Sequence, residues 1–178
     1  MEHHSNFFEA IKSEFPNGKI KFTLIIKYFL LNPKFCLMLN YHVGKRFSKS
    51  RFFVNRQIGR YLKTRMILKR GCDISYNAQI GNNLKLPHPL GIVIGEGVVV
   101  RDNVKIFQNV TLGSHGRSGV GQKYPIVEPG VRIYAGAIII GGVTIGENAI
   151  IGANAVVNID VPPNTIAVGI PCRILKPN

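Results

Sequence analysis

The sequence predicts a mainly β protein, a parallel β-solenoid preceded by a short helical region. Three observations predict it. An aliphatic residue recurs at every sixth position over most of the second half of the chain. A second small or apolar residue stands two positions before each of these, and glycine often follows directly. The aliphatic positions are Ile74, Ile80, Leu86, Ile94, Val100, Ile106, Leu112, Val127, Ile133, Ile139, Ile145, Ile151 and Val157.

A six-residue period fits neither an α-helix nor an ordinary strand, and it predicts hexads that each supply one short strand and one bend. Three hexads make a triangular turn of roughly 18 residues, and stacked turns bury the aliphatic side chains between them. We therefore expect every aliphatic residue of the series to lie in the core. Asparagine at the bends, as in Asn82-Asn83 and Glu147-Asn148, suits left-handed backbone conformations.

Most of the positive charge lies before the repeats. Residues 1–70 hold fifteen lysines and arginines against three glutamates, whereas residues 71–178 hold eight against six acids. We expect two domains with these bounds, a basic helical region and the solenoid. The charge is compatible with nucleic acid, an anionic membrane surface or an acidic ligand. The predicted helices are Phe7–Phe15, Ile20–Leu31, Pro33–Phe47 and Phe52–Leu68.

The cysteines, Cys36, Cys72 and Cys172, lack metal or redox spacing. Cys72 and Cys172 fall in the apolar phase of the repeats, which predicts buried free thiols and fits a reducing cytoplasm. The chain shows no signal-peptide pattern at Met1, and Ile20–Leu31 is too short to span a bilayer. We therefore expect a cytoplasmic protein.

Two interruptions of the six-residue period are the candidates for function. The first surrounds His88, and the second runs roughly from Gly113 to Ile126. A histidine on an outward bulge is suited to take up a proton near neutral pH. Asp73 precedes His88 by fifteen residues, close to one turn, so we expect the two at one edge of neighbouring turns. A carboxylate there can orient the imidazole.

Four segments carry a resemblance to a known family: His88–Glu96, Gln108–Gly113, Ile145–Ala153 and Gly169–Arg173. They resemble the hexapeptide-repeat acyltransferases, most closely the serine acetyltransferase branch. The resemblance implies a left-handed parallel β-helix, a homotrimer with active sites between subunits, and acetyl-CoA as co-substrate without a metal. It also implies that His88 and Asp73 form a catalytic dyad, in which His88 removes the proton of an acceptor hydroxyl as it attacks the thioester.

The same resemblance implies where acetyl-CoA binds. Small residues let a ligand approach the backbone, although corner packing explains them equally well. Those that match positions beside the pantetheine arm are Gly113, Ser114, Ala135 and Ala153. The cations that are candidates for the CoA phosphates, with plain surface charge as the alternative, are Arg117, Lys123 and Arg173.

The acceptor site departs from that of the serine acetyltransferases. The Arg-His pair with which the family grips serine is replaced by Lys123-Tyr124, and the Asp before its catalytic histidine by Pro87. The loss of these charged partners disfavours a zwitterionic acceptor. His115 and Tyr124 are then candidates for contact with a different acceptor.

The leading hypothesis is therefore an acetyl-CoA-dependent O-acetyltransferase acting on a sugar hydroxyl of a surface-polysaccharide precursor. The short region before the repeats and the end of the chain just past the terminal motif also favour it. A lipid-linked acceptor would place the basic segment Lys19–Arg70 at the inner face of the cytoplasmic membrane. The alternative is a serine O-acetyltransferase with an altered acceptor site.

Other classes of function are less favoured. A non-catalytic solenoid scaffold is compatible with the repeats alone. A zinc hydratase on the same solenoid needs three converging histidines, whereas the repeats hold only His88 and His115. A nucleic-acid binder is suggested by charge but by no recognised binding motif.

Overall fold

The structure is a computed structural model that describes residues 31–116 and 123–176. Its contacts divide the chain into two units, Met1–Gly71 and Cys72–Asn178. The predicted helix Phe7–Phe15 lies outside the described residues, as does all of Ile20–Leu31 except its last residue.

The described part of the first unit contains two helices, α1 (Pro33–Ser48) and α2 (Phe53–Arg70), close to the predicted bounds. The Asn32 side chain caps α1 by accepting a hydrogen bond from the Phe35 amide at 3.0 Å. Gly71 ends α2 with a left-handed φ of 59°. No described helix combines the length and apolar character needed to cross a membrane.

The described part of the second unit is built from fourteen short strands. They are β1 (Asp73–Ile74), β2 (Gln79–Ile80), β3 (Val93–Ile94), β4 (Val99–Val100), β5 (Lys105–Ile106), β6 (Thr111–Gly113), β7 (Ile126–Val127), β8 (Arg132–Ile133), β9 (Ile138–Ile140), β10 (Thr144–Ile145), β11 (Ile150–Ile151), β12 (Val156–Val157), β13 (Ile166–Val168) and β14 (Arg173–Leu175).

The strands form three sheets that the chain visits in rotation. The first sheet has the order β1-β3-β6-β9-β12, the second β2-β4-β7-β10 and the third β5-β8-β11-β13-β14. All neighbours are parallel except β13 and β14. This unit is the left-handed parallel β-helix that the resemblance implies.

The register locates each interruption of the period. Val93 pairs with Thr111, so a regular coil takes 18 residues. The coil from Asp73 to Val93 takes 20 residues, and the coil from Thr111 to Ile138 takes 27. The two predicted interruptions therefore insert about two and nine residues.

A third irregularity was not predicted. Ile150 pairs with Ile166, so the last coil takes 16 residues instead of 18. The aliphatic series ends at Val157, and Pro162-Pro163 follows, so no periodic signal remained in the sequence to show this shortened coil.

The predicted core is confirmed with one exception. All thirteen aliphatic positions are buried apart from Ile80, which is half-buried. Ile80 lies on β2, the edge strand of its sheet, so one side of its side chain has no neighbouring coil. The bends use left-handed backbone as expected, for example at Asn83 (φ 54°) and Asn148 (φ 56°).

The prediction for the cysteines holds for one of the two. Cys72 is buried, whereas Cys172 is half-buried. The reason is that the chain leaves the coil after β13 and turns back as the antiparallel strand β14, so Cys172 lies in the turn of a hairpin.

Candidate active site

The first interruption forms an exposed loop at the bend from the third sheet to the first. We call this bend the third-to-first corner; in the affected coil it lies between Leu86 and Val93. Pro87 and His88 are both exposed there. The His88 carbonyl accepts a hydrogen bond from the Leu90 amide at 2.8 Å, and Gly91 follows with φ +65°. The loop therefore turns tightly and presents His88 to solvent.

Asp73 lies one coil below this loop, at the same edge of the first sheet. It starts β1, pairs with Val93 and donates its amide to the Ile92 carbonyl at 2.8 Å. The preceding residue, Cys72, donates its thiol to the Pro89 carbonyl at 3.4 Å. The Asp73 amide and the Cys72 thiol thus both bond to carbonyls of the segment that follows His88. These contacts hold the two predicted dyad residues on consecutive coils.

A row of rings continues from His88 along the same corner. The His88 and Phe107 ring centroids are 6.5 Å apart, and Phe107 stacks on Tyr134 at 5.0 Å with 14° between the ring planes. The sequence did not single out these aromatic residues. Phe107 and Tyr134 each directly follow an inward aliphatic residue, which the sequence does show. Only the register across the longer insertion shows that the two are neighbours.

The second interruption lies at the other edge of the first sheet, at the first-to-second corner. Its middle, including the predicted CoA contact Arg117, lies outside the described residues. The His115 imidazole packs against Gly141, and Lys123 lies over Gly142, where a Cβ would stand 2.6 Å from the lysine Cβ. Both histidine and lysine are exposed.

Tyr124 anchors the far end of this loop. Its ring covers Gly95 and Gly97, and a Cβ added at Gly95 would lie 3.0 Å from the ring. A Cβ at Gly97 would overlap the ring directly. Tyr124 can therefore pack on the first-to-second corner of the preceding coil because both positions beneath its ring are glycine.

The small residues predicted to contact acetyl-CoA divide between the two corners. Gly113 and Ser114 begin the loop at the first-to-second corner, and a Cβ added to Gly113 would meet nothing within 4 Å. Ala135 and Ala153 lie at the third-to-first corner on adjacent coils, where the Asn154 amide donates to the Ala135 carbonyl at 2.9 Å. The backbone beside Gly113 is therefore open to a ligand.

The last predicted CoA contact, Arg173, lies elsewhere. It is exposed on β14, the edge strand of the third sheet, and pairs with Val168 on β13. Within one chain the structure thus brings His88, Asp73, Ala135 and Ala153 to one edge of the first sheet. It brings Gly113, Ser114, His115, Lys123 and Tyr124 to the opposite edge.

No group of three or more histidine, cysteine or acidic side chains is placed to hold a metal ion in residues 31–116 and 123–176. The clear pKa shifts near the repeats come from burial. Burial raises the pKa of the Tyr76 hydroxyl to about 12 and raises that of the Cys172 thiol. Neither group is thereby made reactive, because the neutral form is favoured in both.

Comparison with known proteins gives a consistent set of relatives. The family described as bacterial transferase hexapeptide (six repeats) matches residues 124–158. A serine acetyltransferase of Buchnera aphidicola (subsp. Schizaphis graminum) is 33% identical over 155 residues, which cover 85% of this chain and 59% of that protein. The chain spans between 39% and 59% of the length of the first curated relatives that it matches.

Solved structures agree with these relatives. The serine acetyltransferase of Vibrio cholerae superposes with a TM-score of 0.76 at 31% identity, covering 97% of this chain and 67% of that one. The serine acetyltransferase of Brucella abortus in complex with coenzyme A superposes with a TM-score of 0.75 at 29% identity, covering 94% of this chain and 66% of that one.

Proposed function

Because this chain belongs to the hexapeptide-repeat acyltransferases, close to the serine acetyltransferase branch, we propose that it is an acetyl-CoA-dependent O-acetyltransferase whose acceptor is L-serine. The observation that carries the proposal is the placement of His88 and Asp73 at one edge of consecutive coils, in a chain whose relatives are serine acetyltransferases. The comparisons support serine, the alternative drawn from the sequence, better than a sugar acceptor, which they do not support.

His88 is proposed as the general base. Its exposed imidazole takes the proton of the serine hydroxyl while that oxygen forms a bond to the thioester carbonyl carbon. As the carbon–sulfur bond breaks, the imidazolium returns the proton to the leaving CoA thiolate, so O-acetylserine and CoA are released. Asp73 orients the imidazole. General-base assistance of this kind is worth about 10²–10⁴-fold in rate.

The donor site is proposed from the small residues. Acetyl-CoA fits this chain because the space above Gly113 is open and because Ala135 and Ala153 carry only methyl groups. A related structure is a complex with coenzyme A. Arg173 is exposed and free to approach its phosphates, whereas we assign Lys123 to the acceptor.

The resemblance implies a homotrimer, and we propose one here because the two groups lie apart within one chain, so that each site needs a second copy. The third-to-first and first-to-second corners lie at opposite edges of the first sheet, across a strand that spans about 7–10 Å. A second copy that presents its first-to-second corner to His88 would complete one site. Mixing two inactive variants, His88→Ala and Gly113→Trp, is expected to restore part of the activity, since some mixed sites would contain both intact corners.

The acceptor site differs from that implied for the family, so serine would be held by other groups. Lys123 offers a single point charge to the serine carboxylate in place of a bidentate arginine. Pro87 offers no charge to the serine ammonium. We propose that the reaction takes place in the cytoplasm, and the inner-membrane location predicted from the sequence has no support from the comparisons.

The test is CoA release, followed with a thiol reagent, from acetyl-CoA supplied with L-serine, with neutral sugars or with no acceptor. Serine-dependent release is expected, and His88→Ala should lower it by about 10²–10⁴-fold without changing the oligomer seen by light scattering. His115→Ala, the matched histidine at the other corner, should retain the chemical step. Release with sugars alone would contradict the serine proposal, and an unaffected His88→Ala rate would contradict the mechanism.

A further inference from the structure

The outward face of the third sheet carries a column of three cations. Lys85 pairs with Lys105 in an isolated parallel bridge, and Lys105 pairs with Arg132 between β5 and β8. The three side chains therefore project from consecutive coils in register. Coils in such a stack lie about 4.8 Å apart, so the column is about 10 Å long. We call it the cation column.

The column of charges ends after the coil of Arg132. The next two positions in register are Ile150 and Ile166, both aliphatic. The three cations thus lie on the coils that carry the three rings of the row, namely His88, Phe107 and Tyr134. Cations that occur only on the coils at and next to His88 are consistent with a binding site beside the proposed catalytic base.

No carboxylate pairs with these three side chains among the residues that the structure describes. Asp102 is the acid nearest to Lys105 in sequence. It lies in the bend before β5, at the edge of the third sheet away from His88, and its carboxylate accepts a hydrogen bond from the Asn82 amide at 2.6 Å. Like charges directly opposite one another on neighbouring strands destabilise a sheet. An anion bound across the column would remove that repulsion.

The ring row borders the cation column on the side of His88. The Lys105 ammonium lies 5.0 Å from the centroid of the Phe107 ring, and that ring lies 6.5 Å from the His88 imidazole. Tyr134 stands two positions after Arg132, as Phe107 does after Lys105. A ligand held by the cations would therefore pass along an aromatic edge that leads to His88.

We propose that Lys85, Lys105 and Arg132 form a binding site for a phosphate-bearing ligand, of the diphosphate class, beside His88. Lysine binds phosphate as a point charge, and the arginine fork binds it bidentately. The span of the column matches a ligand with more than one anionic group and is longer than a single carboxylate requires. Phosphate binding does not depend on acetyl transfer. Which molecule carries the phosphates rests on the proposed function: either the donor CoA or a separate phosphorylated ligand.

The probe is inorganic pyrophosphate, titrated calorimetrically into the full chain at constant ionic strength with chloride as the reference anion. Saturable binding is expected for the wild-type protein. The double variant K105Q/R132Q should bind at least about tenfold more weakly, because it removes two of the three cations. The control K69Q/R101Q removes two exposed cations from elsewhere and should bind as the wild type does. No saturable binding, or equal binding by both double variants, would overturn the proposal.

Melting temperature gives a second readout that also reports folding. Pyrophosphate should raise it for the wild type, since a ligand that binds the folded state stabilises it. Without pyrophosphate, K105Q/R132Q should melt no lower than the wild type, because outward charges that repel one another are removed. With pyrophosphate its melting temperature should rise clearly less than that of the wild type. A shift as large as that of the wild type would overturn the proposal.

Repeating the titration with the protein saturated with CoA distinguishes the sources. Loss of the pyrophosphate site would assign it to the phosphates of the donor, and retention would assign it to a separate phosphorylated ligand. Failure of the proposed function is distinguishable, because the titration uses no acetyl transfer. Serine acetylation without pyrophosphate binding would contradict the phosphate site at the cation column and leave the proposed function standing.

Discussion

The thiol of Cys72 donates a hydrogen bond to the backbone carbonyl of Pro89, with 3.4 Å between sulfur and oxygen. Cys72 is fully buried and directly precedes Asp73, and Pro89 directly follows His88. One partly buried contact therefore links the neighbours of both proposed dyad residues. We therefore expect Cys72 to act by positioning the His88 loop, because its side chain does not itself reach solvent.

Replacing Cys72 with alanine should lower kcat by about 3- to 10-fold while the KM for both substrates stays near the wild-type value, because loss of the contact lets the His88 loop shift. Cys72→Ser keeps a donor for the Pro89 carbonyl and should recover most of kcat. Steady-state kinetics of the two variants, with melting temperatures, make the comparison. If both variants lose the same activity, Cys72 contributes packing and no positioning.

Asp73→Asn should lower kcat by about 10- to 100-fold with little change in KM, because the amide no longer orients and stabilises a protonated imidazole. The side chain is exposed, so the fold should tolerate the change. Single-turnover rates measured beside circular dichroism spectra test this. A variant as fast as the wild type would remove Asp73 from the proposed dyad.

Gly113→Val should fold normally but raise the KM for acetyl-CoA about tenfold or more. A side chain at this position enters open space in the structure, so its cost appears only when a ligand approaches the backbone. Kinetics with varied acetyl-CoA at saturating serine measure the effect. An unchanged KM would contradict the proposal that acetyl-CoA binds beside Gly113.

The double change K123R/Y124H, which installs the Arg-His pair implied for the family, should raise kcat/KM for L-serine by about tenfold. A guanidinium binds the serine carboxylate bidentately where lysine provides one charge. Histidine is smaller than tyrosine and fits over Gly97, which the Tyr124 ring covers now. K123R alone should give a smaller gain. Lower serine turnover in the double variant would show that this chain binds its acceptor in another way.

The helical unit should lose stability in mild acid through His42. Burial, with a smaller contribution from Lys45, lowers the pKa of His42 from 6.5 to about 4. Between these values the unfolded chain binds a proton that the folded chain does not. Stability therefore falls as the pH drops through this window, by about 1.4 kcal/mol per pH unit.

Urea unfolding at pH 7 and pH 5, followed by the helical circular dichroism signal, measures this dependence. His42→Gln should show a smaller difference between the two pH values, because it removes the group that titrates. An equal difference in the variant would assign the acid sensitivity to other residues.

The period made the core predictable. Hexads such as Val104-Ile106 and Val131-Ile133 place two inward residues per strand, and a coil can bury them only by stacking. The helices α1 and α2 were predictable from Pro33 and from the breaks around them. The roles of His88 and Asp73 stay predictions, supported by their placement on consecutive coils.

The sequence by itself determined the parallel β-helix, its core and the positions of two insertions, because a strict period encodes which side chains point inward. Only the tertiary structure decided the edge at which each insertion emerges and which outward residues become neighbours. Phe107 meets Tyr134, and Lys105 meets Arg132, across an insertion of nine residues. Outward residues carry no periodic signal, so their columns follow from the register of the coils, which hydrogen bonds between strands fix.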